Sequence, residues 1–150
     1  MPNRDVHFPV GAIAGGGYAL YMAQTQPRFH IAAEIVGGVL GGIAGGLLPD
    51  KIDAPTCPRH RAEAHSVAFT GAAGKLLSDQ LPQWQNFLRS QADRYALMRA
   101  HSSVPLEQFF LWMAENACRV LAGAIAGLLA GYASHLILDS LTPMSLPLFC

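Results

Sequence analysis

The feature that most constrains this chain is a glycine-rich apolar run over residues 31–48, which Pro49 closes. Its 18 residues would form about 27 Å of helix, close to the roughly 30 Å hydrocarbon core of a bilayer. Only 13% of the chain is charged, against about 25% in ordinary soluble domains. Together these features predict a small integral membrane protein. The alternative is a very hydrophobic soluble helical domain.

Three further runs, at residues 9–23, 66–77 and 105–138, also have helical length, and no useful strand-like alternation occurs. The polar segment at about 79–104 carries apolar side chains at helical spacing, which predicts an amphipathic helix at the membrane surface. An ordinary helix packed on the others is the alternative for this segment. The predicted fold is all-α: residues 1–150 form one membrane-embedded domain, a four-helix bundle with an amphipathic interfacial insertion between helices three and four.

Glycines recur at every fourth position along two of these runs. They form the ridges Gly37, Gly41 and Gly45; Gly38, Gly42 and Gly46; and Gly123, Gly127 and Gly131. In lipid, such ridges let helix backbones approach closely, although in water each glycine weakens a helix by about 1 kcal/mol relative to alanine. We expect close helix contacts here, within the chain or between copies in a homo-oligomer. Plain composition bias is the alternative.

The charged residues are few and balanced. Ten Lys and Arg residues match ten Asp and Glu residues, so no nucleic-acid partner is predicted, and the lipid bilayer is the expected partner. The three cysteines fit neither a CxxC spacing nor an even-numbered disulfide framework. Glu115 and Arg119 are four residues apart in a helical run, and we expect them to neutralise one another.

Most of the chemically reactive side chains fall at helix ends. If the helices run up and down, the start of the first and third helices shares one side with the end of the second and fourth. The residues gathered there are His7 before the first helix; Asp50 and Asp53 after the second; His60, Arg61, His65 and Ser66 before the third; and His135, Asp139 and Thr142 at or beyond the end of the fourth. This convergence predicts a functional site at one end of the bundle.

The histidines and aspartates in this set suit a metal ion. His135 and Asp139 are four residues apart and therefore share a helix face. An isolated pair of this kind is more often a capping or hydrogen-bonding arrangement, so the prediction depends on the convergence. We predict a divalent metal, with zinc favoured over manganese, and His7, Asp50, His65, His135 and Asp139 as ligands.

The remaining polar residues have predicted roles beside the metal. Asp53 is the candidate general base, or a bridging ligand if there are two metals. Arg61 could bind a phosphoester anion, or act as the counter-ion of a nearby aspartate. His60, Ser66 and Thr142 are further candidates, although the two hydroxyls could simply cap a helix or a turn.

Three motifs resemble the YdjM-like family, LexA-regulated inner-membrane proteins described as metal-dependent hydrolases. They are PDKID, HRAEAHS and GYASHLILDSLTPMSLPLF. The resemblance extends from His7 to the C-terminus, apart from residues 76–120, and implies a multi-pass protein of the bacterial inner membrane. The chain departs from the family pattern at Ala64, at Met144 and by an extra residue within PDKID. The last departure leaves open whether Asp50 or Asp53 binds metal.

The order of the ligand candidates also resembles, more distantly, that of zinc-dependent phospholipases C. The predicted function is a membrane-bound metal-dependent hydrolase acting on a phosphoester of a lipid or lipid-linked substrate. The rival is a non-enzymatic membrane protein whose His/Asp cluster is a structural metal site or a polar network. A closed ligand set without an open coordination position would favour the rival.

Overall fold

The computed structural model of the chain describes residues 4–52 and 67–141. These residues form four α-helices and, over the same ranges, no strand: α1 (Arg4–Ala23), α2 (Arg28–Ile52), α3 (Val67–His101) and α4 (Pro105–Ser140). The predicted all-α fold with four helices is therefore confirmed. In α2 the segment Arg28–Lys51, and in α4 the whole helix, are long and apolar enough to cross a membrane.

The helix α4 is central to the arrangement. It contacts α1, α2 and α3, and α1 also packs on α2. The helices α2 and α4 run parallel, since Gly123 lies against Glu34 and Gly131 lies against Gly42. The helices α1 and α3 run in the opposite direction, which gives an up-and-down topology. The start of α1 and the end of α2 and α4 therefore lie at one end of the bundle.

The glycine ridges lie at helix contacts within the chain. A Cβ atom added to Gly41 would overlap the backbone of Ala124 in α4, and one added to Gly127 would overlap the backbone of Gly38 in α2. The ridge that contains Gly42 also faces α1. Backbone atoms cannot rotate away as a side chain can, so the close approach of these helices requires glycine. The ridges are thus occupied inside the chain, and homo-oligomer formation through them stays a prediction.

Two predicted helix boundaries were wrong. The helix α1 begins before Pro9, and α2 continues past Pro49, so both prolines lie inside their helices. A proline within a helix removes one backbone hydrogen bond, but the neighbouring turns can continue around it. As a consequence His7 and Asp50, expected just outside the helices, are helical residues with fixed positions on a helix face.

The predicted third helix and the amphipathic insertion form one continuous helix, α3, with Pro82 inside it. Composition changes near residue 79, but helical geometry does not. The Gln85 side-chain Nε2 is buried and donates a hydrogen bond to the Ala122 carbonyl oxygen in α4, at 3.1 Å. Trp84 and Phe87 are exposed. The segment therefore packs on α4, as the alternative prediction had it, and still presents aromatic side chains at the surface.

Candidate metal centre

Four of the predicted ligands meet at one end of the bundle, here called the site end: His7 of α1, Asp50 of α2, and His135 and Asp139 of α4. The His7 Nε2 atom lies 3.6 Å from Oδ1 of Asp139. The His135 Nε2 atom lies 3.5 Å from Oδ1 of Asp50 and 3.6 Å from Oδ2 of Asp139. Three helices thus bring two imidazoles and two carboxylates to one place.

A main-chain atom sets the orientation of the His135 ring. Its Nδ1 atom lies 2.6 Å from the carbonyl oxygen of Gly46. Because a carbonyl oxygen can only accept, Nδ1 carries the proton and donates this hydrogen bond. The Nε2 lone pair then faces the carboxylates of Asp50 and Asp139. Metal-binding histidines characteristically have this arrangement, with the second ring nitrogen bonded to a carbonyl or carboxylate.

The His7 ring stacks on the His135 ring, with the ring centroids 3.9 Å apart and the planes at 21°. Each ring has its Nε2 atom near the carboxylate of Asp139. The Nδ1 atom of His7 is buried and has no hydrogen-bond partner within the part of the chain that the structure describes. Leaving such an atom unpaired is energetically unfavourable, so the described residues alone do not complete the site.

The four residues differ in their access to the outside. His7, His135 and Asp139 are only 2%, 0% and 1% exposed. The side chain of Asp50 is 40% exposed. The site therefore has a buried interior made by α1 and α4, and an accessible edge at the last turn of α2.

The buried group has the dimensions of a metal site. One ligand atom from each of His7, His135 and Asp139 lies within 4.8 Å of the others. Ligands bound tetrahedrally at zinc distances lie about 3.4 Å from one another. The two nitrogen–oxygen separations of 3.6 Å, one to each carboxylate oxygen of Asp139, are close to that value. Imidazole nitrogen and carboxylate oxygen also suit zinc and manganese, so these three residues could hold a metal ion.

The other predicted site residues lie outside the described residues. They are Asp53, His60, Arg61, His65, Ser66 and Thr142. Their assigned roles therefore stay predictions. Within the described residues, sequence reasoning missed the contribution of Gly46, since a main-chain acceptor leaves no signal in the residue type.

Comparison with known proteins identifies the family. The sequence matches the family described as YdjM inner membrane protein over residues 1–150. The chain belongs to this family. Searches of curated proteins and of solved structures gave no significant match. The YdjM membership identifies an inner-membrane protein, in agreement with the two candidate spans α2 and α4, and confirms the resemblance of the three motifs to this family.

In this YdjM family member, a second polar cluster lies at the opposite end of the bundle, here called the arginine end. Arg89 donates from Nε and Nη2 to the two carboxylate oxygens of Glu34, at 2.9 and 2.6 Å. Its Nη2 also donates to the carbonyl oxygen of Met22, at 3.0 Å. Glu34 is fully buried at 0% exposure. This bidentate pair joins α3 to α2, and the hydrogen bond to Met22 joins α3 to α1.

Glu115 and Arg119 belong to the same cluster but do not pair with each other, so this prediction was wrong. Glu115 accepts a hydrogen bond from Arg99 at 2.9 Å, and the Nε2 atom of His30 lies 3.6 Å from its other oxygen. Arg119 donates to the carboxylate of Asp93. Pairing at a four-residue spacing is weak even on isolated helices, and here partners from neighbouring helices reach the buried face instead.

Proposed function

We propose that this YdjM family member is a multi-pass protein of the bacterial inner membrane that acts as a metal-dependent hydrolase. Its substrate would be a phosphoester of a lipid or of a lipid-linked molecule. The observation that carries the proposal is the buried His7, His135 and Asp139 group, whose ligand atoms lie within 4.8 Å of one another. This group lies at the ends of helices that belong to a membrane protein, where a lipid headgroup would be found.

The chain's own residues have distinct tasks in this proposal. His7, His135 and Asp139 would hold the metal, with zinc favoured and manganese as the alternative. When bound, a divalent metal supplies polarisation of a phosphoester and activation of water. The Gly46 carbonyl holds the His135 ring with Nε2 toward the site. Asp50, at the accessible edge, is a ligand or orients the substrate.

Two residues beyond the described part of the chain complete the proposal. Asp53 is the candidate general base, or a second ligand in place of Asp50. Arg61 would neutralise the charge of the phosphoester, because a guanidinium binds phosphate through paired hydrogen bonds. Replacing Arg61 with alanine should therefore leave the metal content intact while weakening inhibition by inorganic phosphate.

One observation favours the rival function, a structural metal site. His7, His135 and Asp139 are nearly inaccessible, at 2% exposure or less, as in a closed ligand set. The exposed carboxylate of Asp50 favours the enzyme instead, since it opens the site on one side. The two functions differ in whether a soluble phosphodiester is cleaved faster when the metal is bound.

The first experiment measures metal stoichiometry. The protein is purified in detergent without chelator, supplied with zinc or manganese, and analysed for bound metal. His135→Ala and Asp139→Asn should each lower metal affinity by at least the roughly 10–100-fold found for outer-shell partners. His101→Ala is the control, because His101 is exposed and lies at the end of α3 that is far from the site end. Wild-type protein without stoichiometric metal would remove the basis of the proposal.

The second experiment separates the hydrolase from the structural site. Cleavage of bis(4-nitrophenyl) phosphate is followed with metal-loaded and metal-stripped protein. The hydrolase should require the metal and should lose activity in Asp139→Asn. Stoichiometric metal with equal cleavage rates in both forms would instead favour the structural role. Circular dichroism of each variant checks that the helices persist.

The proposed topology is tested separately. With the native cysteines replaced, single cysteines near positions 53 and 139 should be labelled from the same side of the membrane. Labelling of these two positions from opposite sides would contradict a site that both of them help to form.

A further inference from the structure

A surface groove between α1 and α4 has no part in the site described above. It has a volume of about 370 Å³ and is lined by Ala14 and Tyr18 on one side and by Ala130, Ala133 and Ile137 on the other, among others. Three of these five residues are alanines, so small side chains form the groove by leaving space between two helices. A volume near the lower end of the range for ligand pockets suits a slender occupant.

The walls of the groove suit a hydrocarbon occupant. Its other lining residues are Leu129 and Ser134. The Ser134 hydroxyl donates to the carbonyl oxygen of Gly131 within its own helix, at 2.8 Å, and so is already engaged. The Tyr18 ring stacks on the ring of Tyr21. A ligand in the groove would therefore meet mostly methyl and methylene groups.

The position of the groove decides what surrounds it. One wall belongs to α4, a candidate membrane span of an inner-membrane protein, so we expect lipid chains to surround the groove. From Leu129 to Ile137 it follows α4 for about 12 Å along the helix axis. Ile137 lies between His135 and Asp139 in the sequence. The groove thus begins level with the site end and extends into the span.

The two walls are also the helices that carry the buried ligands. His7 belongs to α1, and His135 and Asp139 belong to α4. We propose that the groove holds one acyl chain of a phospholipid substrate whose phosphate group lies at the candidate metal centre. This proposal rests on the proposed function and specifies its substrate as a membrane phospholipid.

The test uses a phosphatidic acid with a photoreactive diazirine in its acyl chain. The detergent-purified protein is irradiated with this probe, and the cross-linked peptides are identified by mass spectrometry. Wild-type protein should be labelled on the α1 and α4 residues of the groove. Excess unlabelled phosphatidic acid should compete, and diacylglycerol with the same chains should compete less, since it lacks the phosphate.

The chain offers a closely matched pair of variants. Ala133→Phe fills the groove, and Ala44→Phe adds the same side chain to an exposed position of α2. Because Gly42 lies opposite Gly131 in parallel helices, Ala44 and Ala133 lie at the same depth. Ala133→Phe should lose the groove labelling while retaining stoichiometric metal. Ala44→Phe should keep both the labelling and the wild-type rate of phosphodiester cleavage.

Four results would overturn the proposal. Equal labelling in the two phenylalanine variants would mean that the probe reacts with any lipid-exposed helix surface and not specifically with the groove. Disulfide-linked dimers of Ala133→Cys in native membranes would show that a second copy covers the groove. Groove labelling without metal-dependent cleavage of any phosphoester would remove the substrate assignment along with the proposed function. Metal-dependent cleavage without groove labelling would remove the groove alone.

Discussion

The bundle carries one polar cluster at each end, and the carboxylates of the two clusters have different partners. At the arginine end, Glu34, Asp93 and Glu115 accept hydrogen bonds from Arg89, Arg119 and Arg99, respectively. At the site end, Asp50 and Asp139 lie beside the imidazoles of His7 and His135. Guanidinium is always charged and has no lone pair for a metal, whereas neutral imidazole binds metals readily. The first cluster therefore serves to join helices, and the second suits binding.

The distance between the clusters fits the membrane setting. From Glu34 to Asp50, α2 rises about 24 Å, somewhat less than the roughly 30 Å hydrocarbon core of a bilayer. The glycine ridges lie between the two clusters. This comparison predicts that damage at the arginine end lowers stability, while damage at the site end removes a response to metal.

The largest expected effect is at the arginine end. Arg89→Ala leaves the buried carboxylate of Glu34 without its guanidinium and should lower the free energy of unfolding by about 3–5 kcal/mol. Arg94→Ala is the control on the same helix, because Arg94 is exposed and contacts Gln91 only at 3.4 Å. Unfolding by sodium dodecyl sulfate in mixed micelles measures both. Equal losses in the two variants would contradict the assigned role of the buried pair.

The site end should instead respond to metal. Zinc at about 100 times its dissociation constant should raise the free energy of unfolding by about 2.7 kcal/mol. The gain should vanish in His135→Ala and persist in His30→Ala, whose histidine belongs to the arginine end. Thermal unfolding with and without zinc measures the difference. A gain that persists in His135→Ala would place metal binding elsewhere in the chain.

The segment between the clusters gives the next effect. In Gly42→Ala the new Cβ atom would meet the backbones of Gly11 and Gly15, so the variant should lose about 1–3 kcal/mol. Gly17→Ala meets nothing within 4 Å and should be neutral or gain up to about 1 kcal/mol of helix propensity. The same unfolding assay compares them. A stable Gly42→Ala would mean that α1 and α2 can separate without penalty.

The smallest effect sharpens the contrast between buried and exposed pairs. Lys75 and Asp79 form an ion pair at 3.3 Å, but their side chains are 77% and 59% exposed. Lys75→Ala should therefore change the free energy of unfolding by no more than about 0.5 kcal/mol. A loss comparable with that of Arg89→Ala would show that burial does not set the strength of these pairs.

The sequence predicts the helices better than their boundaries. Apolar length and glycine spacing identify four helices, because both features are local. The continuous α3 is not predicted, because the change from apolar to polar composition near residue 79 indicates a helix boundary. The backbone hydrogen bonds of a helix do not depend on whether its side chains are apolar or polar. Pro9 and Pro49 mislead in the same way, because a proline signals a helix end only statistically.

The two clusters are also unequally predictable. His135 and Asp139 share a helix face by their spacing alone, and topology adds His7 and Asp50. The sequence also indicates that Glu34 has a buried partner, because its carboxylate lies inside an apolar run. Its partner cannot be selected from the sequence. Several arginines in the polar part of α3 are candidates, and only the rotation of α3 against its neighbours decides between them.

Because His135 donates a hydrogen bond to the Gly46 carbonyl, the geometry of the candidate metal centre depends on the spacing between α2 and α4. The acceptor belongs to the main chain, so no change of side chain at position 46 deletes it. A movement of α2 relative to α4 would lengthen this bond. Gly127, about 12 Å along α4 from His135, lies against the backbone of Gly38 and keeps the two helices close. A bulkier residue at position 127 would push α2 and α4 apart. We expect this to lower the affinity for metal, although position 127 is about two helical turns away from His135.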